Sequence, residues 1–179
     1  LTAIAGYDIH TVKSTDRADI EALIGEIEAL SARGDLADQH AQLAEALAKA
    51  DALIKRIEAA HAATETEKIQ AAASITPDNY KPSDRETVAD AKADVEAALA
   101  TYEGNYTEEE KQALLDELAR LKAILHSMDR VEAIQEALDA LPALDAFNRN
   151  NTEVMALIEA IKTAYGQLTP HEIELVDRS

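Results

Sequence analysis

TEEEKQALLDELARLKAILHSMDRVEAIQEALDAL, residues 107–141, decides how the rest of the chain is read. Leu114, Leu118, Leu121, Leu125 and Met128 recur at alternating four- and three-residue steps, the seam of a helix that packs on other helices. Met128, Val131 and Ile134 then follow at successive steps of three. At about 100° per residue, the stretch from Leu125 to Ile134 carries the stripe half-way round, so these two residues face opposite sides. A helix of roughly 35 residues, about 50 Å at about 1.5 Å per residue, is too long for one small domain. The pattern predicts a strut shared by two consecutive helical bundles.

Working outward, the strut opens on Thr107 and Glu110, a capping box in which hydroxyl and carboxylate each satisfy an orphan amide, and it closes before Pro142. Upstream, Gly6 to Ser14 is a polar lead-in, and Ser14, Thr15 or Asp16 is expected to cap a helix marked by Ile20, Leu23, Ile24, Ile27 and Leu30. Gly34 is expected to end that helix in the left-handed conformation. A second helix is expected from near Ala37, with Leu43, Leu47, Ala50, Ile54 and Ile57 on its stripe, running through the alanine-rich 59–73 stretch and stopping before Pro77. Ser83-Asp84-Arg85-Glu86 reads as a further capping box, followed by Val88, Ala91, Val95, Leu99 and Tyr102, with Gly104 as the stop. Beyond the loop Ala143 to Asn151, a third helix begins at Thr152, shows Val154, Leu157, Ile158 and Ile161, ends at Gly166 and reopens at Thr169 with Pro170 at the favoured first position.

These segments repeat. Gly34-Asp35-Leu36-Ala37, Gly104-Asn105-Tyr106-Thr107 and Gly166-Gln167-Leu168-Thr169 are versions of one turn: helix stop, apolar staple, helix start. Leu43, Leu47, Ala50, Leu53, Ile54 and Ile57 fall on Leu114, Leu118, Leu121, Ile124, Leu125 and Met128 at a constant offset of 71 (114 minus 43). Self-similarity at this scale implies modules stacked end to end, each burying its stripe partly against a neighbour. From cap to glycine the second repeat spans 21 residues (104 minus 83) and the third 14 (166 minus 152). The missing 7 are about two helical turns, so the same face is kept on a shorter helix. The expected fold is all-α, an elongated rod of spectrin-like three-helix bundles sharing long connecting helices. Its modules are 1–60 (first helix truncated), 61–130 and 131–179 (last helix truncated).

The third repeat carries a resemblance. Val131-Glu132-Ala133-Ile134 through Ala140-Leu141-Pro142, then Ala164-Tyr165-Gly166-Gln167-Leu168-Thr169-Pro170 and Leu175-Val176, resembles helical repeats of multi-domain surface and secreted proteins of Gram-positive bacteria. The close match covers about the last third. In the earlier repeats Ala71-Ala72-Ala73 stands where Ala140-Leu141-Pro142 would be, and Arg33 sits near the place of the Tyr. The resemblance implies three-helix bundles strung on a secreted polypeptide as spacers or accessory modules, and it brings no catalytic residues.

Composition narrows the function classes. The 179 residues suit one or two domains, and the 47% hydrophobic content, rich in alanine with only 3% aromatics and no Trp, suits slim helices that approach closely. A net charge of −18 opposes nucleic acid, anionic membranes and sulfated polysaccharides alike. With no cysteine there is no disulfide framework, Cys-ligated zinc or thiol chemistry. No apolar run approaches the roughly 20 residues that span a bilayer, and Leu1 to Gly6 lacks the features of a signal peptide. Residues 170–179 read as a helix cut soon after its start, which suits an internal piece of a secreted protein.

Candidate chemistry is thin. His10, His40, His61, His126 and His171 contain no pair at i and i+3 or i+4, the spacing that would put two metal ligands on one helical face. Asp8, His10, Asp16, Asp78, Asn79 and Asp84 lie in polar loops but lack the spaced acidic loop and central glycine of a calcium site. Glu108-Glu109-Glu110 and the pair Glu172 and Glu174 sit at helix starts, where negative charge complements the helix dipole. The glycines are single and at helix ends, so no phosphate-cradling loop is present. Tyr102 and Tyr165 are expected to cover bundle ends with the phenol reaching water. Tyr7, Tyr80 and Phe147 are expected to plug bundle ends from the loops, and are the first choice for any recognition role. No catalytic, cofactor or metal site is assigned. The expected function is a non-catalytic spacer of an extracellular or cell-surface protein. The alternative is an adhesin-like module that grips a host or partner protein, told apart by an exposed apolar patch.

Overall fold

The computed structural model describes residues 2–142 and 151–177, and every regular element among them is helical. In chain order these are α1 (Thr2–Ala5), α2 (Arg17–Ser31), α3 (His40–Thr64), α4 (Glu67–Ala72), α5 (Arg85–Tyr102), α6 (Glu108–Asp139), α7 (Thr152–Tyr165) and α8 (Pro170–Asp177). The expected loop 143–151 lies outside the described residues except for its last position, where the Asn151 side chain accepts from the amides of Glu153 (3.0 Å) and Val154 (3.3 Å) and caps α7. The chain forms two compact units, one from Leu1–Gln70 and Ala93–Leu118, the other from Ala71–Lys92 and Ala119–Ser179.

Local chemistry explains where the helices start. A short 3-10 turn precedes α2 and α5, and in each case an aspartate at its end accepts from the amide three residues back: Lys13 to Asp16 at 2.9 Å and Lys81 to Asp84 at 2.8 Å. The expected Ser83–Glu86 box is therefore displaced by two residues (83 minus 81), to Lys81–Asp84. Pro82 has no amide to satisfy and a φ suited to a first helical position, so the turn nucleates on it and Asp84 takes the acid's role. The Thr107–Glu110 box is present as expected, with Thr107 N donating to Glu110 Oε2 at 2.7 Å and Glu110 N to Thr107 Oγ1 at 3.2 Å.

Two boundaries differ from the sequence reading. The helix expected to run through residues 59–73 stops at Thr64, whose hydroxyl donates back to the His61 carbonyl at 2.8 Å. Thr66 then accepts from Ile69 N at 3.3 Å and starts α4. Threonine hydroxyls compete with the helical ladder, and two of them close together break it. Gly34 is not left-handed, and no described residue has a positive φ. Ala32 and Arg33 close α2 through right-handed bonds to Glu28 and Leu30, so nothing at Gly34 requires glycine's freedom. Gly34 instead opens a 3-10 turn, Gly34–Gln39, and α3 follows at His40 rather than near Ala37.

The core of the first unit gathers Ile4, Val12, Ile20, Ile27, Leu43, Ala46, Ala50, Leu53 and Ile57, with Leu23, Leu47 and Ile54 packed half-buried at its edge. The fully buried line on α3 thus passes through Ala46 and Leu53 rather than Leu47 and Ile54, because small alanines let the neighbouring helix sit close. On α6 the same displacement puts Ile124 at 0% exposure and leaves Leu125 half-buried. Met128, Val131 and Ile134 are all buried, and so is Ser127, seven residues before Ile134. The second unit's apolar cluster at α8 is small: Val131, Ile134 and Val176, flanked by Ala164, Tyr165, Leu168 and Leu175.

Candidate functional site

Each unit concentrates its buried polar groups at one interhelical turn. In the first unit this is Asn105, 2% exposed. Its side-chain amide donates to the carbonyls of Ile9 (3.0 Å) and Val12 (2.8 Å), and its oxygen accepts from Arg56 Nε at 2.9 Å. Arg56 reaches on to the Thr101 carbonyl at 2.6 Å and stacks over the Tyr102 ring, 4.2 Å from its centroid. Gly104 adjoins this turn so closely to the lead-in that a Cβ there would lie 2.3 Å from the His10 carbonyl oxygen. Tyr106, buried, donates to the Ala60 carbonyl at 3.1 Å. Burial, with the nearby Tyr102 and Glu110, pushes its phenol up to about 12. Glu110 completes the arrangement by accepting from Ser14 Oγ at 2.8 Å. Burial pushes its carboxyl upward, but bonds from Thr107 and Ser14 and the neighbouring His61 outweigh that and hold it below its ordinary value.

In the second unit the corresponding group is Glu172, 0% exposed on α8. Thr169 N donates to its Oε2 at 2.7 Å and Glu172 N donates to Thr169 Oγ1 at 3.3 Å, a second capping box. Its Oε1 receives Ser127 Oγ and, at 2.5 Å, Arg130 Nη2. The Tyr80 hydroxyl lies 3.1 Å from Ser127 Oγ, and its ring meets that of His171 edge-on at 4.8 Å. His171 Nε2 donates to the Tyr80 carbonyl at 2.8 Å. Desolvation would raise the Glu172 carboxyl, yet the bonds from Ser127, Thr169 and Arg130 bring it below its ordinary value. Burial raises the Tyr80 phenol. The Nε of Arg130 is buried without a partner among the described residues.

Concavities flank both turns. One of about 370 Å³ is lined by Ile57, Ala60, Tyr106 and Leu114 with His61, Glu110 and Glu117 at its edge. Another of about 300 Å³ is lined by Tyr80, Pro82, Met128, Val131, Glu132 and Leu175. Ile57, Ala60 and His61 fall on Met128, Val131 and Glu132 at the offset of 71 (128 minus 57), so the repeat carries its groove with it. A third, of about 290 Å³, lies between α6 and α7 and is lined largely by Ile134, Ala137, Leu157, Ile161 and Leu168.

The residues weighed for metal binding are placed apart or already occupied. His10, His40, His61 and His126 are exposed, and no group of three ligating side chains gathers among the described residues. Asp8 accepts from His10 N at 2.7 Å, Asn79 from Thr76 N at 2.7 Å, and Asp16 and Asp84 close the turns described above, so these side-chain oxygens fold their loops. Of the aromatics, Tyr80 is sealed at 1% exposure, which removes it as a recognition residue. Tyr7 packs half-buried against the first core. Tyr165 donates to Asp177 at 3.1 Å. Phe147 lies outside the described residues. Sequence reasoning missed Asn105, Ser127 and Arg130. Ser127 had a signal, a small polar residue inside an apolar stripe, and Thr169-x-x-Glu172 copies Thr107-x-x-Glu110. No protein-family model, curated protein or solved structure matches this chain.

Proposed function

We propose that this chain is a non-catalytic spacer of an extracellular or cell-surface protein, built of tandem three-helix modules that share long helices. In this role it projects or separates other domains, as the resemblance to Gram-positive surface repeats implies. The reading rests on one observation: among the described residues the exposed large apolar side chains are Ile9 (40%), Leu115 (40%) and Leu138 (39%), each only just exposed. A gripping surface buries apolar anchors and leaves them bare when unoccupied. The surface is instead laced with ion pairs, such as Arg17 with Glu21 and Glu58, and Arg85 with Asp129 and Glu132.

The test is mechanical. Ala123 is exposed in the interior of α6, so Ala123→Pro removes a helical hydrogen bond at a cost of about 3 kcal/mol or more without touching the core. If α6 is a shared strut, small-angle scattering of the wild type reports a long particle, and the variant shows a shorter maximum dimension or a broader distribution of shapes. Calorimetry shows its single transition split. A wild type that behaves as loosely tethered globules, or a variant with the unchanged profile, sinks the spacer reading. The adhesin-like alternative then moves ahead, with the α6–α7 groove as its binding face.

A further inference from the structure

We propose that Glu172 is an acid-sensitive clasp: protonating its buried carboxyl releases α8 from α6 and uncovers the apolar residues beneath, while the first unit stays folded. The helix concerned has only 8 residues. Isolated helices shorter than about 12–15 residues are marginal in water, so α8 persists through what it docks on. Its apolar hold is Val176 against Val131 and Ile134, with Leu168 and Leu175 at the edge, a cluster much smaller than the first unit's core. The remaining hold is polar and centres on one carboxylate.

The geometry makes that carboxylate intolerant of a proton. Ser127 and Arg130 from α6 converge on Oε1, and the Thr169 amide takes Oε2. Three donors occupy three of the carboxylate's roughly four acceptor sites, and a proton added to it turns each of these charge-assisted bonds into a weaker bond to a neutral acid. Arg130 and the Thr169 amide can only donate, so Ser127, which also pairs with the Tyr80 hydroxyl, is the one partner of the three able to turn into an acceptor. The guanidinium of Arg130 would lose its counter-charge next to an Nε already lacking a partner. Of the other titratable groups at the clasp, the Tyr80 phenol reaches Ser127 and His171 points to the Tyr80 carbonyl, neither of them to Glu172 itself.

The sign follows from linkage. The folded-state carboxyl lies below its ordinary value, so its contribution is complete above the unfolded-state range, near 4.3, and is lost as pH falls through the folded value. Glu110 is the internal control: it makes the same cap and accepts from Ser14, but it is only half-buried and no arginine bonds to it.

Backbone chemical shifts of the whole chain, followed from pH 7 to pH 2.5, test this. In the wild type the helical shifts of Ile173 to Val176 should collapse in acid while those of α2 and α3 persist. Glu172→Gln should reduce the docked population of α8 at least tenfold at pH 7 and abolish the acid step, and Glu110→Gln should leave the α8 step in place. The double variant Glu172→Gln with Arg130→Met, which removes both charges, should dock again at pH 7 and stay docked in acid. A wild-type α8 that persists until α2 and α3 unfold overturns the clasp, as does a Glu172→Gln chain with the wild-type acid step. A double variant as fully released as Glu172→Gln would place the hold in the Thr169 cap rather than the buried pair, and overturns it too.

Discussion

Thr107-x-x-Glu110 and Thr169-x-x-Glu172 are one capping box used twice, and the two units dispose of the spare carboxylate oxygen in opposite ways. In the first unit it faces Ser14 at an exposed edge, and the deep polar position is filled by a neutral side chain, Asn105, that satisfies two backbone carbonyls. In the second it is driven fully inside and meets Ser127 and Arg130, so a charge pair sits where the first unit has an amide. A neutral hub loses hydrogen bonds when broken, whereas a charged hub also strands its partner. The same Thr-x-x-Glu box therefore leaves its carboxylate at an exposed edge in one place and seals it against an arginine in the other.

The sharpest way to break the symmetry is at the two glycines. Gly104 and Gly166 occupy equivalent places in the turn, yet a Cβ at 104 would lie 2.3 Å from a backbone oxygen and one at 166 no closer than 3.3 Å, to Lys162 O. Neither has a positive φ, so the difference is steric. Gly104→Ala should cost about 3 kcal/mol, since a carbonyl in the lead-in cannot rotate aside as a side chain would. Gly166→Ala should cost under about 1 kcal/mol. Urea denaturation with probes in each unit measures both, and equal effects would remove the steric distinction.

A smaller effect is expected at the hub itself. Asn105→Ala orphans the carbonyls of Ile9 and Val12 and should cost about 2 kcal/mol, while Gln167→Ala, at the matching exposed position, should be neutral within about 0.5 kcal/mol. The smallest is at Tyr106, whose equivalent in the third repeat is Leu168. Tyr106→Phe removes the bond to the Ala60 carbonyl and should cost about 1 kcal/mol. Because the folded phenol is pushed up to about 12, its contribution is complete below the ordinary value near 10 and is lost as pH rises toward 12. The variant should flatten the alkaline fall in stability. An ultraviolet titration in which every tyrosine ionises near 10 would contradict the burial of this one.

Much of the architecture was legible because it is written in short-range code. The stripes of α2, α3, α5 and α6, the Thr107–Glu110 box and the offset of 71 between α3 and α6 all depend on spacing alone. The break at Thr64 was not legible, since an alanine-rich stretch favours helix and the hydroxyl bonds of Thr64 and Thr66 that compete with the helical ladder leave no mark on the spacing. The choice of Asp84 over Glu86 as the acid of the box turned on where the first turn nucleates, which Pro82 settles locally but which the Ser-x-x-Glu spacing obscured.

By itself, then, the amino-acid order determined that the described chain is helical, where most helices begin, and which repeats match, because caps and periodicity act within a turn or two of the chain. Only the tertiary structure decided which polar side chains go inside. Asn105, Ser127 and Glu172 look like ordinary solvated residues in sequence. Their burial depends on groups 42 to 96 positions away, such as Arg130 for Glu172 and Ile9 for Asn105, and no local pattern encodes a partner at that distance.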